Sequence, residues 1–182
     1  MTCAARFMNL YPGVGVHFSI GNTRTLGEAL HALKSDVAIL TLETPPEGLH
    51  CQLVAEQQLI LCGRRNTAFA RAGRVRPADL ADLTLILREE GSMTRELFER
   101  AVRASGITLG PTIEVPSREA VKEAAAAGLG YGLVLDNELG RDARLAPIEI
   151  DGLDARGGTY AAVLPGSVDV PYVKAFLETC GG

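Results

Sequence analysis

Two observations predict an α/β fold in two lobes. Short apolar runs of strand length alternate with stretches of helical periodicity, and they do so as two β-α-β series, the pattern of parallel sheets flanked by helices. Two extended stretches, at about 52–62 and 145–164, lie between and after those series and read as crossover strands. The lobes so drawn are 1–57 with 163–182, and 58–162.

Each element has its own signal. Val14, Val16, Phe18 and Ile20 alternate with Gly15, His17 and Ser19, which predicts a strand with one buried face. Gly21-Asn22-Thr23 leads into a helix carrying Leu26, Ala29, Leu30 and Leu33 on one stripe. The apolar run 37–40 predicts a strand covered on both faces. Pro77 opens a helical turn reaching Leu83. Residues 83–87 form another buried strand, and a helix from about Thr94 to Ser105 stops at Gly106. Residues 112–115 are strand-like, and 118–127 form a helix closed by Gly128. Residues 131–135, 145–150 and 159–164 are extended, and a last helix aligns Val173, Phe176, Leu177 and Cys180.

Composition excludes several functions. With 182 residues and 47% hydrophobic content, the chain can bury a real core. A net charge of −4, with no basic run longer than Arg64-Arg65, argues against a surface built to grip nucleic acid or an anionic membrane. No apolar run approaches the roughly 20 residues of a membrane span, and no leader precedes the first helix. Cys3, Cys51, Cys62 and Cys180 include no C-x-x-C pair and no zinc-ligand spacing, which suits free thiols in a reducing cytoplasm. The sequence calls for no metal and no cofactor.

Three strand-to-helix junctions share one chemistry: Gly21-Asn22-Thr23, Gly91-Ser92-Met93-Thr94 and Pro116-Ser117. Each puts a hydroxyl where a helix begins, with free N–H groups and partial positive charge, an arrangement that binds carboxylate, phosphate or sulfate. Asn22, Thr23, Ser92, Thr94 and Ser117 are therefore candidate ligand contacts, and Arg88, at the end of the preceding strand, can meet an anion in bidentate fashion. Ser, Thr and Asn are also the favoured N-caps, worth about 1 kcal/mol each. One junction alone therefore has a purely structural explanation, and the recurrence is what points to a ligand.

Enzyme signatures are weak. There is no G-x-S-x-G elbow, no H-E-x-x-H and no P-loop. His17, His31 and His50 have no evident nucleophile partner, so no catalytic residue is assigned. Gly128-Leu129-Gly130-Tyr131-Gly132 follows a helix and precedes a strand, the reverse of the dinucleotide order, and reads as a helix cap and tight turn.

Several pieces, in order, resemble the regulatory half of LysR-type transcriptional regulators. They are Ala5-Arg6-Phe7, Tyr11-Pro12-Gly13-Val14, Gly21-Asn22-Thr23 with Leu26 and Leu30, and Asp36-Val37-Ala38-Ile39-Leu40. Ala78-Asp79-Leu80, Gly91-Ser92, Ala120-Val121 and Ala127-Gly128-Leu129-Gly130 before Gly132-Leu133-Val134 continue the series. The stretch Ser117-Arg118-Glu119-Ala120-Val121 is most similar to regulators linked to phosphonate use. The resemblance implies two type-2 periplasmic-binding-protein-like lobes joined by two crossover strands, with a small metabolite bound between them. It also implies a homodimer or tetramer. By position, Thr23 matches an effector-contacting hydroxyl in the first lobe, and Ser92 and Thr94 match the contacting helix start in the second. The family's winged helix-turn-helix and linker helix have no counterpart here, so DNA is expected to be reached only through a domain outside these residues. The family's first strand has none either, which leaves the expected strands at 14–20 and 37–40 without a shared neighbour. The expectation is a disturbed first lobe, repacked or completed by another chain.

The leading expectation is thus a cytoplasmic effector-binding domain for a small anionic metabolite, not an enzyme. The first alternative is a stand-alone or transport-type solute-binding protein. The second is a small two-lobed enzyme such as a dehydratase, for which Asp136 is the one candidate carboxylate. For self-association, helix stripes such as Leu97 and Ala101 are the available surfaces.

Overall fold

The computed structural model describes residues 2–153 and 155–181, the side chain of Thr2 excepted. The chain divides into two units, one made of residues up to Glu56 together with those from Gly158 onward, the other Gln57–Gly157. In order, the elements are α1 (Thr2–Leu10), α2 (Thr23–His31), β1 (Ala38–Leu42), β2 (His50–Arg64), α3 (Ala68–Ala72), β3 (Arg74–Val75), β4 (Leu85–Arg88), α4 (Met93–Ser105), β5 (Thr112–Val115), α5 (Arg118–Ala127), β6 (Tyr131–Leu135), α6 (Asp136–Leu139), β7 (Leu145–Ile150), β8 (Arg156–Val163) and α7 (Pro171–Gly181). The chain leaves the first unit within β2 and returns to it within β8.

In the second unit, β4 pairs in parallel with β5 on one side and β6 on the other. β6 then pairs antiparallel with β2, and β2 antiparallel with β7. The side-chain period of two splits β2 between the faces: Leu59 and Leu61 enter the cluster of Leu85, Leu87, Leu97 and Phe98, while Ile60 and Cys62 enter that of Ile86, Val121 and Ala125. Helix α4 therefore covers one face and α5 the other, which is why these strands read as continuous apolar runs. Gly106 and Gly128 close α4 and α5 in the left-handed conformation, at φ 63° and 86°. Burial pushes the Cys62 thiol up to about 12, as an inert core thiol requires. Leu97 is buried in the core and Ala101 packs against it, so the stripe expected to be free for self-association is spent inside the unit.

The first unit departs further from expectation. β1 pairs antiparallel with β8, Ala38 opposite Ala162 and Leu42 opposite Gly158, instead of lying in a parallel β-α-β series. It buries Ala38, Leu40 and Leu42 while Ile39 stays exposed, so only one face is covered. Residues 14–20 form no strand. A strand needs a neighbour to pair its N–H and C=O groups, and among the described residues no strand pairs with this segment; Phe18 is exposed and Ile20 wholly so, leaving the backbone to water. Helix α2 ends at His31, earlier than its stripe implies. Leu33 takes φ 55° and is 78% exposed, and Lys34 N–H reaches back to the Ala29 carbonyl at 2.9 Å, a left-handed closure made without glycine. Helices α1 and α7 pack through Phe7 and Phe176, whose ring centroids lie 5.3 Å apart edge to face.

Candidate functional site

The three junctions prove chemically unequal. At the start of α2, Asn22 is an N-cap whose side-chain oxygen accepts from Thr25 N–H at 3.0 Å, and the Thr23 hydroxyl donates to the Thr41 carbonyl at 3.3 Å, tying the helix to β1. At the start of α5, the Ser117 hydroxyl accepts from Ala120 N–H at 3.1 Å. Local capping accounts for Asn22 and Ser117, and a helix–strand tie accounts for Thr23.

The start of α4 is different. β4 ends at Arg88, and Gly91 turns the chain at φ 84°, where a side chain would be strained. Ser92 N–H closes the turn on the Glu89 carbonyl at 3.2 Å, and the first helical bond runs from Glu96 N–H to the Ser92 carbonyl at 3.0 Å. The N–H groups of Met93, Thr94 and Arg95 thus precede the helical ladder and face outward along its axis. Ser92 holds the N-cap position without making a side-chain cap bond. Ser92 and Thr94 are buried as residues, at 3% and 5% exposure, and the Ser92 hydroxyl makes no cap bond; among the described residues the one fully enclosed side-chain oxygen without a partner is that of Gln57. The three N–H groups ahead of the helical ladder, with the hydroxyls of Ser92 and Thr94 close by in sequence, can offer hydrogen bonds to oxygen atoms of negative charge.

The arginines are already engaged. Arg88 meets Glu89 in bidentate fashion at 2.7 and 2.8 Å, and this bond is the first cause holding the guanidinium above its usual range. The expected bidentate grip of Arg88 on a ligand is therefore taken by its own neighbour. Arg95 bonds Glu99 and Glu114 and donates to the Arg88 carbonyl at 3.2 Å, which fastens the first turn of α4 to the end of β4.

Sequence reasoning missed one residue. Gln57 is 5% exposed, and its Oε1 is buried without a hydrogen-bond partner among the described residues. The register locates it. Leu59 lies opposite Leu135, the last residue of β6, so Gln57 falls two residues beyond the last β2–β6 pair, toward the carboxyl ends of β6 and its parallel neighbour β4. By the alternation along β2 it shares the sheet face of Leu59 and Leu61, the face that α4 covers. The signal was present as a polar residue on the inward parity just before an apolar run.

Other candidates carry less. Asp136 is exposed and its Oδ1 accepts from Asn137 N–H at 2.7 Å, the position of a helix-start residue and not of a buried acid. His17, His31 and His50 are all exposed. Among the described residues no group of His, Cys, Asp and Glu could hold a metal, and no helix is long and apolar enough to cross a membrane.

Comparison with known proteins places this geometry in context. The model of the LysR substrate binding domain matches residues 1–182. The RuBisCO operon transcriptional regulator of Acidithiobacillus ferrooxidans is 30% identical over 94% of this chain and 57% of its own length. The transcriptional regulator CbbR of Xanthobacter flavus is 30% identical over 82% of this chain and 46% of its own. The chain thus spans about half the length of these relatives, which are transcriptional regulators and not enzymes. The regulatory domain of Synechocystis CcmR, solved in complex with 2-PG, superposes with a TM-score of 0.87 at 24% identity, covering 99% of this chain and 88% of that one. The effector binding domain of QuiR, solved with shikimate, gives 0.81 at 19% identity, over 98% and 87%. These likenesses show the two-lobed periplasmic-binding-protein-like fold. Two of the relatives, from Acidithiobacillus ferrooxidans and Allochromatium vinosum, are RuBisCO operon transcriptional regulators, and the relatives give no support to the phosphonate subtype suggested by residues 117–121.

Proposed function

Because the chain belongs to the LysR substrate binding domain family, we propose that it is the effector-sensing part of a transcriptional regulator and that its effector is a small anion seated at the start of α4. The observation that carries this reading is the start of α4, where three N–H groups precede the helical ladder beside the Ser92 hydroxyl, which makes no cap bond, and the Thr94 hydroxyl. An acid group there gains several hydrogen bonds to a charged acceptor, each worth about 1.5–3 kcal/mol. The partial positive charge of the 13-residue helix adds to them. Thr23 in the first unit keeps its oxygen free to accept even while its proton is given to Thr41, and so stays a secondary candidate.

Sensing then follows from linkage. An effector that binds one state of the protein better than another shifts their populations by its difference in affinity. In the full regulator that shift would be transmitted, through a homodimer or tetramer, to DNA-binding domains outside these residues. A transport-type solute-binding role is the weaker reading, because the relatives are regulators.

The test is a thermal-shift titration of this chain with 2-PG, shikimate and inorganic phosphate. A ligand of the native state present at a hundred times its Kd adds about 2.7 kcal/mol, a rise of roughly 5–10 °C for a chain of this size. The rise should shrink in Ser92→Ala and Thr94→Val. No rise with any acid, or an undiminished rise in both variants, would sink the anion reading.

A further inference from the structure

Resting on the reading above, we infer that the carboxamide of Gln57 is the second wall of the α4 site and that the effector is a hydroxylated acid, its acid group at Ser92 and Thr94 and a hydroxyl donating to Gln57 Oε1. Three facts lead there. Gln57 is 5% exposed with Oε1 unpartnered, a cost that a folded protein seldom retains without use. By the alternation along β2 it lies on the α4 side of the sheet, two residues past the last β2–β6 pair and toward the carboxyl ends of β6 and β4, after which α4 begins. It also sits two strands from β4, in the order β2, β6, β4. At about 4.8 Å per strand the lateral separation is roughly 10 Å.

The chemistry of the orphan atom sets the selectivity. A carboxylate or phosphate alone satisfies the donors of α4 and leaves Oε1 unpaired. A ligand that also offers a hydroxyl satisfies both, and a site built around a hydroxyl rejects the analogue that lacks it. A hydroxyl both donates and accepts, so the preference holds whichever end of the carboxamide turns inward.

The experiment titrates this chain with glycerate and with propionate, acids of equal chain length that differ in hydroxyls, with inorganic phosphate as a reference for the anion cradle. Wild type should bind glycerate at least about tenfold more tightly than propionate, the value of one hydrogen bond. In Gln57→Met, which keeps an unbranched side chain of similar volume, the preference should fall below about twofold, with propionate and phosphate unchanged and the melting temperature equal or higher. Gln57→Glu, which puts a like charge in the same place, should abolish binding of both acids. Equal affinity for the two acids in wild type, or a glycerate preference surviving in Gln57→Met, would overturn the inference. Propionate and phosphate both failing to bind wild type is a different result: it removes the anion cradle itself, and the role of Gln57 with it.

Discussion

Ser92 and Ser117 occupy the same N-cap position in two helices of one unit, and alanine should affect them in opposite ways. The Ser117 hydroxyl accepts Ala120 N–H at 3.1 Å, so Ser117→Ala removes a working cap. That costs about 1 kcal/mol, or about 2–4 °C of Tm for a domain of this size. The Ser92 hydroxyl makes no cap bond, although the residue as a whole is buried. Removing a hydroxyl that makes no cap bond takes no cap from the helix, so Ser92→Ala should leave Tm within about 1 °C of wild type. Affinity should show the reverse. Losing one hydrogen bond to a charged acceptor, about 1.5–3 kcal/mol, weakens binding by about 10- to 150-fold in Ser92→Ala. Ser117→Ala should bind as wild type does. Calorimetric melting and isothermal titration with an acid that stabilises the wild type read both quantities on the same samples. The reasoning is refuted if Ser92→Ala melts as low as Ser117→Ala, or if it keeps its affinity within about twofold.

Three further outcomes follow from the fold. Leu33→Gly relieves a leucine held at φ 55°, and the 1–2 kcal/mol of left-handed strain outweighs the added chain entropy of glycine, so denaturant unfolding should show a gain of about 0.5–1 kcal/mol. Phe98→Ala empties a fully buried site between α4 and the sheet and should lower stability by about 3–5 kcal/mol, read from the urea midpoint at constant m. Arg144 bonds both Asp142 and Glu123, and its side-chain bond is the first cause holding the Asp142 carboxyl down to about 2. A depressed carboxyl contributes stability above its unfolded value of about 3.9, and that contribution is lost as pH falls through about 2. Arg144→Met should therefore flatten the fall of Tm between about pH 4 and pH 2, and an unchanged slope would remove this exposed network from the acid response.

Much of the second unit was legible in the residues. The strands at 112–115, 131–135 and 145–150 and the helix at 118–127 lie where periodicity and glycine stops put them, because local signals agree with a sheet buried on both faces. Hydroxyls at helix starts were legible too. Which of them were idle was not: Asn22, Ser92 and Ser117 look alike in sequence, and only the folded backbone shows that two cap their own helices while Ser92 does not. Arg88 read as a free cation, yet its neighbour Glu89 folds onto it, a rotamer choice set by packing. Residues 14–20 carry a clean strand pattern and form no strand, because pairing is a property of the neighbour and not of the segment. Gln57 gained meaning only through register, which sets it just past the carboxyl end of β6, a strand far from it in the chain. By itself, then, the sequence determined the α/β class, most of the elements of the second unit and the chemistry on offer, all of which depend on short-range periodicity and side-chain type. The tertiary structure decided which polar groups are left unsatisfied, because satisfaction depends on partners that only long-range contacts supply.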